Sequence, residues 1–167
     1  MSVSLLPTFQ ADAVTQITPE FLAGQGIRLL MLDFDNTIVP YTTNTPTPEV
    51  SRWLERMKAS PVRLCVVSNS KKDRVRVFCK AQGIPCITHS KKPFPKGIRQ
   101  CLQEYDIPAA QSMLVGDQIF TDTLGANGCG VRSVLVKAID NHTIWLKLRH
   151  VAELPFIFLS RKRRIYP

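Results

Sequence analysis

The sequence predicts an α/β fold built on a five-stranded, mostly parallel sheet with helices on both faces. Two observations carry this expectation. Short apolar runs alternate along the chain with longer segments of helical periodicity, the order in which parallel sheets are assembled. Polar or charged residues then follow four of those runs in succession. In a parallel sheet all four would lie on one edge, where ligands bind.

Each element has its own signal. Residues 28–34 (RLLMLDF) read as a strand that starts in the core. Residues 47–59 read as a helix: Thr47 can cap it, Pro48 suits its first position, and Val50, Trp53, Leu54 and Met57 share one face. Residues 62–67 (VRLCVV) form a second, buried-type strand, followed by a helix over 71–82 that Gly83 closes. Ile84–Thr88 is a weak third strand, and Pro95–Tyr105 a helix with Ile98, Cys101, Leu102 and Tyr105 on one side. Ser112–Val115 is the fourth strand, Thr121–Asn127 a helix ending near Gly128, and Arg132–Val136 the fifth strand. A last helix is expected over Asn141–His150. The stretch VPYTTNTPTPE reads as a loop over the first strand's end, and the closing RKRRIYP as a disordered tail.

Composition narrows the class. A chain of 167 residues, 44% of them hydrophobic, suits one domain spanning 1–167 around one core. No apolar run approaches the roughly 20 residues of a membrane span. The N-terminus lacks the basic and long apolar regions of a secretory signal, so an intracellular protein is expected. Cys65, Cys79, Cys86, Cys101 and Cys129 form no C-x-x-C pair, which favours buried reduced thiols over disulfides or a zinc site. The net charge of +9 favours anionic partners (phosphate esters, nucleic acid or anionic lipid) or serves solubility alone.

The strand ends carry the chemistry. Asp33 and Asp35 follow the first strand, Ser68 and Asn69 the second, His89 to Lys92 the third, and Gly116, Asp117 and then Asp122 the fourth. Residues two apart on an extended segment face one way, so Asp33 and Asp35 can meet one ligand. Two such carboxylates repel unless a cation or a shared proton intervenes. With Asp117 added, three acids at one edge suit a hard divalent cation such as Mg²⁺. Mg²⁺ beside a lysine and a hydroxyl suits phosphoryl transfer. Plainer readings stand beside these. Asp122 could cap the following helix, and Asn69 and Ser70 the one near Lys71. Lys91 and His89 read as ordinary loop residues, and His142 and His150 lie outside the set. Gly116 suits a close backbone approach.

Four ordered motifs make the chain resemble the haloacid dehalogenase (HAD) superfamily. LDFDNT resembles its first motif, VVSNS its second, Lys92 before a proline in SKKPFPKG its third, and MLVGDQIFTD its fourth. The resemblance covers roughly residues 27–137, leaving a C-terminal helix and basic tail over 140–167. It implies a Rossmannoid three-layer sandwich and a set of roles. Asp33 resembles the nucleophile that forms an aspartyl-phosphate. Asp35 resembles the general acid and base, with its backbone carbonyl on Mg²⁺. Ser68, Asn69 and Lys92 would bind the substrate phosphate, and Asp33, Asp35 and Asp117 the metal. Thr37, Gly116 and Asp122 would support them.

The gaps between motifs, residues 36–67 and 69–91, are too short for a cap domain, so an open site and a large or surface-presented substrate are expected. Within the superfamily the compact form looks like the YqeG branch of subfamily IIIA, similar to the mitochondrial phosphatidylglycerophosphate phosphatases. That likeness implies a Mg²⁺-dependent phosphatase acting on an anionic phospholipid, in peripheral contact with an anionic membrane. The tail LPFIFLSRKRR could be an interfacial anchor, or its apolar part could pack on the domain. A phosphatase of soluble phosphoprotein, sugar-phosphate or nucleic-acid ends is the alternative enzyme. A non-catalytic RNA-associated factor is the alternative of another class.

Overall fold

The computed structural model describes residues 4–140 and 144–165, the side chains of 144–151 excepted. Its strands are β1 (Phe9–Ala11), β2 (Leu29–Leu32), β3 (Arg63–Val67), β4 (Cys86–Ile87), β5 (Ser112–Gly116) and β6 (Arg132–Val136). They form one sheet in the order β1-β6-β5-β2-β3-β4, with every pairing parallel. The helices are α1 (Pro19–Gly24), α2 (Pro48–Lys58), α3 (Asp73–Gln82), α4 (Lys96–Tyr105), α5 (Leu124–Gly128) and α6 (Ile144–Leu159).

β2 is central, and its register explains its sequence. Leu29 to Leu32 pair with Arg63 to Val66 on one side and Ser112 to Val115 on the other. Leu30 and Leu32 face a core with Trp53, Leu54, Met57 and Phe78, while Leu29 and Met31 face one with Ile98, Cys101 and Ala126. Burial on both faces demands an unbroken apolar run. α2 starts where its cap was expected, with Thr47 Oγ1 accepting the Val50 N–H at 3.3 Å. Trp53 Nε1 donates to the Ile17 carbonyl at 2.7 Å, tying α2 to the N-terminal segment.

Three expectations need correction. The sheet has six strands, not five. The extra one, β1, is three residues at an edge and pairs with β6 from Phe9↔Val134 to Ala11↔Val136. Thr8 and Ser133, 125 residues apart, bind each other's N–H groups with their hydroxyls beside it. So short a strand carries no periodicity and is specified by its distant partner. Second, the segment expected as a helix over Thr121–Asn127 begins as a π turn over Ile119–Thr123 and continues as α5.

Third, the C-terminal helix runs well past His150 to Leu159, and the tail beyond it is docked. Ile165 N donates to the Gln10 carbonyl at 2.9 Å, and an Arg163 Nη to the Pro7 carbonyl at 2.7 Å. The expected helix start at Asn141, His142, the His150 side chain and the last two tail residues lie outside the described residues. No helix among the described residues is long and apolar enough to cross a membrane.

Candidate active site at the carboxyl edge

Chain direction across the sheet reverses at β2: β3 and β4 lie to one side, β5 and β6 to the other. Such a reversal leaves a crevice beyond the strand ends. Asp33 sits there, its N–H extending the ladder to the Val115 carbonyl at 2.8 Å. Phe34 turns into the core, edge-on to Phe78 at 5.3 Å, so Asp33 and Asp35 stay on the other side. Asn36 then reverses the chain in the left-handed conformation (φ 62°), which its short polar side chain tolerates. Its Oδ1 accepts the Tyr41 N–H at 3.0 Å.

Lys92 organises the centre. Its buried ammonium lies 2.6 Å from Asp33 Oδ1 and 2.7 Å from Asp122 Oδ1. Burial disfavours the Lys92 charge, but Asp122 and then Asp33 outweigh it and hold the pKa above the ordinary lysine value. Burial pushes the Asp33 pKa up; Lys92 opposes this and Asp122 adds to it. Burial also raises the Asp35 pKa, against the pull of Arg74, Lys72 and Lys92.

Carboxylate oxygens of Asp33, Asp117 and Asp122 lie within 4.8 Å of one another, all three residues buried. An all-oxygen donor set of three buried acids fits a hard divalent cation. Asp122 is already committed: Oδ1 to Lys92, and Oδ2 to the Gln118 N–H at 3.2 Å. Asp33 keeps Oδ2 outside the Lys92 contact, and it and Asp117 are the members of the cluster that could hold such a cation. The Asp35 carboxylate is outside this cluster, 3.4 Å from an Arg74 Nη.

The lysine loop is built by its neighbours. His89 and Lys91 are left-handed (φ 54° and 59°), a contorted path that needs pinning. Asn69 supplies it: Oδ1 accepts from Ser90 Oγ at 2.8 Å and Lys92 N at 2.7 Å, and Nδ2 donates to the Lys92 carbonyl at 2.8 Å. The Asn69 side chain is thus spent mainly on the loop rather than on the crevice. Ser68 is buried, its carbonyl accepting from Ser90 N and its Oγ from Ser70 N, both at 3.0 Å. Thr37 is buried, and its Oγ1 has no hydrogen-bond partner among the described residues. Gly116 is required sterically, because a Cβ there would fall on the Asp122 carboxylate. Gly97 has the same role at the loop, where a Cβ would meet the Ser90 Cβ at 2.5 Å.

A sequence profile described as mitochondrial PGP phosphatase matches residues 2–139. The chain belongs to this family. The probable phosphatase YqeG of Bacillus subtilis (strain 168) is 32% identical over 131 residues, 78% of this chain and 76% of that protein. Among solved structures, the cobalt-bound deoxy-D-mannose-octulosonate 8-phosphate phosphatase from Haemophilus influenzae superposes with a TM-score of 0.56, at 14% identity over 83% of this chain and 92% of that one. An uncharacterized protein from Listeria monocytogenes serotype 4b superposes at 0.54, with 15% identity over 79% of this chain and 99% of that one. At these identities the superpositions speak to the fold alone. Together the findings make this PGP phosphatase family member a YqeG-like phosphatase of the HAD superfamily.

Two residues of this PGP phosphatase family member escaped the sequence analysis. Arg74 reaches from α3 to Asp35 and also donates to the carbonyls of Pro40, Tyr41 and Thr43, holding the loop that follows the acid. Glu153, on α6, is 2% exposed and bonds the turn that carries Asp122. Neither lies in a motif. The one available hint was a glutamate inside the hydrophobic stretch VAELPFIFL.

Proposed function

We propose that the chain is a Mg²⁺-dependent phosphomonoesterase that works through an aspartyl-phosphate on Asp33, and that its substrate is phosphatidylglycerophosphate, converted to phosphatidylglycerol at an anionic membrane surface. The observation that carries the substrate is the family match over residues 2–139. The chemistry is supported by the Asp33–Lys92–Asp122 geometry. Lys92 occupies Asp33 Oδ1, which leaves Oδ2 to attack phosphorus. As that bond forms, the bond to the leaving alkoxide breaks and Asp35 gives the alkoxide a proton. Asp35 then takes a proton from water. The water oxygen attacks phosphorus, the bond to Asp33 breaks, and inorganic phosphate leaves. Ser68 and Lys92 hold phosphate oxygens through both steps. Mg²⁺, held by Asp33, Asp117 and the Asp35 carbonyl, would neutralise phosphate charge when bound.

A membrane-borne substrate is supported by two further features. Only a loop with α2 and β3, and then α3 with β4, fill the two gaps in which a cap could stand. The end of α6 is two-faced as well. Glu153 and Ser160 are buried inward, while Leu154, Phe158 and Leu159 are 46%, 65% and 65% exposed. The Arg161 guanidinium lies 4.9 Å over the Phe158 ring, at the head of a cluster of exposed basic residues. Apolar side chains beside basic ones suit an anionic bilayer surface, at about 1 kcal/mol per basic residue near it.

A phosphate-release panel with Mg²⁺ tests the reading. It compares phosphatidylglycerophosphate in mixed micelles with soluble phosphate esters and includes Asp33→Asn and Asp35→Asn. The lipid should be the preferred substrate, and Asp33→Asn should abolish release from every one. Preference for a soluble ester sinks the lipid assignment, and undiminished turnover by Asp33→Asn sinks the nucleophile.

A further inference from the structure

The turn that delivers Asp122 is not held by its own segment alone. The chain leaves β5 at Gly116, passes Asp117, and enters the π turn through an extended Gln118 (φ −123°, ψ 128°). The first N–H groups of such a turn have no partner within it. Gln118 N donates to Asp122 Oδ2 at 3.2 Å, so the turn's own acid meets one of them. That acid is also bound to Lys92 and has little left to give.

The next two N–H groups, those of Ile119 and Phe120, point at Glu153 Oε1, at 2.9 and 3.4 Å. Glu153 lies 34 residues further on, in α6. It is 2% exposed, and burying a carboxylate is costly unless hydrogen bonds to it compensate. The amide end of a helical segment is a favourable place for one. α6 is itself secured. Phe156 meets Phe120 edge-on at 6.2 Å, and Gln10 Nε2 donates from β1 to the Ile157 carbonyl at 3.0 Å and to Ser160 Oγ. Glu153 thus bonds a fixed helix to the backbone between Asp117 and Asp122. It also lies beyond residues 2–139, where the family match ends.

We propose that Glu153 is a positioning residue of the active site. It fixes the Ile119–Phe120 turn and thereby sets where Asp117 and Asp122 present their carboxylates, so that affinity for the divalent cation depends on the C-terminal helix. This rests on the reading of Asp33, Asp117 and Lys92 as the working site. The metal's outer partners typically change metal affinity by about 10–100-fold when lost, and Glu153 acts at a similar remove.

The test uses the full chain and Mg²⁺ alone as the probe. The Mg²⁺-induced rise in melting temperature is titrated to give a half-saturating concentration, and phosphate release is measured in parallel. Glu153→Ala should raise the half-saturating Mg²⁺ about 10-fold or more. Glu153→Gln, which keeps an acceptor oxygen, should stay within about 3-fold of the parent. If Glu153→Ala does not fold, Glu153→Asp, one methylene short, should fold and give a rise between those of Gln and Ala. A Glu153→Ala or Glu153→Asp protein that melts lower in EDTA but keeps the parental Mg²⁺ titration has only a structural role there, and the inference is overturned. A parent protein with no Mg²⁺-induced shift overturns the site reading and this inference together.

Discussion

Replacing Lys92 with methionine isolates what the buried ammonium does for the fold. Its side chain is 1% exposed and touches two carboxylates, at 2.6 and 2.7 Å. Methionine fills the volume but leaves Asp33 and Asp122 facing each other without a cation. Removing one partner from a buried ion pair costs about 3–5 kcal/mol. That is a large share of the ~5–15 kcal/mol of a typical domain. At about 2–4 °C per kcal/mol for a chain of this size, Lys92→Met should lower the melting temperature by roughly 6–20 °C.

The assay is a circular-dichroism melt in EDTA at neutral pH. The deficit should shrink toward pH 5. Burial already raises the Asp33 pKa above its unfolded value, loss of Lys92 raises it further, and a stability term of that sign is present at low pH and lost as pH rises through the folded pKa. Adding Asp122→Asn removes one stranded charge and should restore about 0.5–3 kcal/mol relative to the sum of the single changes. The reasoning fails if Lys92→Met melts within about 2 °C of the parent, or if the double variant loses the full sum.

Three other changes probe the supports. Gly116→Ala puts a methyl group where the Asp122 carboxylate lies, so phosphate release should fall about 100-fold with the fold retained, checked by kcat beside a melt. Asn69→Ala removes three hydrogen bonds around Ser90 and Lys92 and should cost about 2–3 kcal/mol in denaturant unfolding, whereas Asn69→Asp keeps the two accepting bonds and should cost less. Arg74→Met releases three carbonyls of the loop over 40–43. Limited proteolysis in that loop should become at least several-fold faster while global stability falls by only about 1–2 kcal/mol.

The legible parts of the sequence were those whose cause is local. β2 announces itself because burial on both faces forces four apolar residues in a row. α2 does so because Thr47, Pro48 and the spacing of Trp53, Leu54 and Met57 agree. The acids, Ser68 and Lys92 were readable because each follows a strand and matches a motif. What stayed hidden depends on residues far apart in the chain. β1 exists through β6, and Gln10 in its middle is polar because it bonds α6. Arg74 reads as one more basic residue on a helix until α3 is laid beside Asp35. Glu153 looks misplaced among apolar residues until the π turn supplies its N–H partners. Asn69 was readable as polar at a strand end, but only the contorted lysine loop shows where its hydrogen bonds go.

The charge layout follows from the same topology. A crevice lined by Asp33, Asp35, Asp117 and Asp122 would by itself repel a phosphate ester, however basic the chain as a whole. The fold answers by setting cations among the acids. One cation, Lys92, is buried between two acids, where it holds Asp33 in place. Two others flank Asp35: Arg74, largely buried against it, and Lys72, exposed over the ring of Tyr41. Both reach Asp35 electrostatically and oppose the rise in its pKa that burial causes. Of these cations only Lys72 is exposed, so it is the one that presents positive charge at the surface beside Asp35. The acids are concentrated where a divalent cation can use them, and the net charge of +9 lies mostly outside that centre. On the proposed reaction both halves would be needed, the cations to attract the anion and the acid cluster to hold the divalent cation.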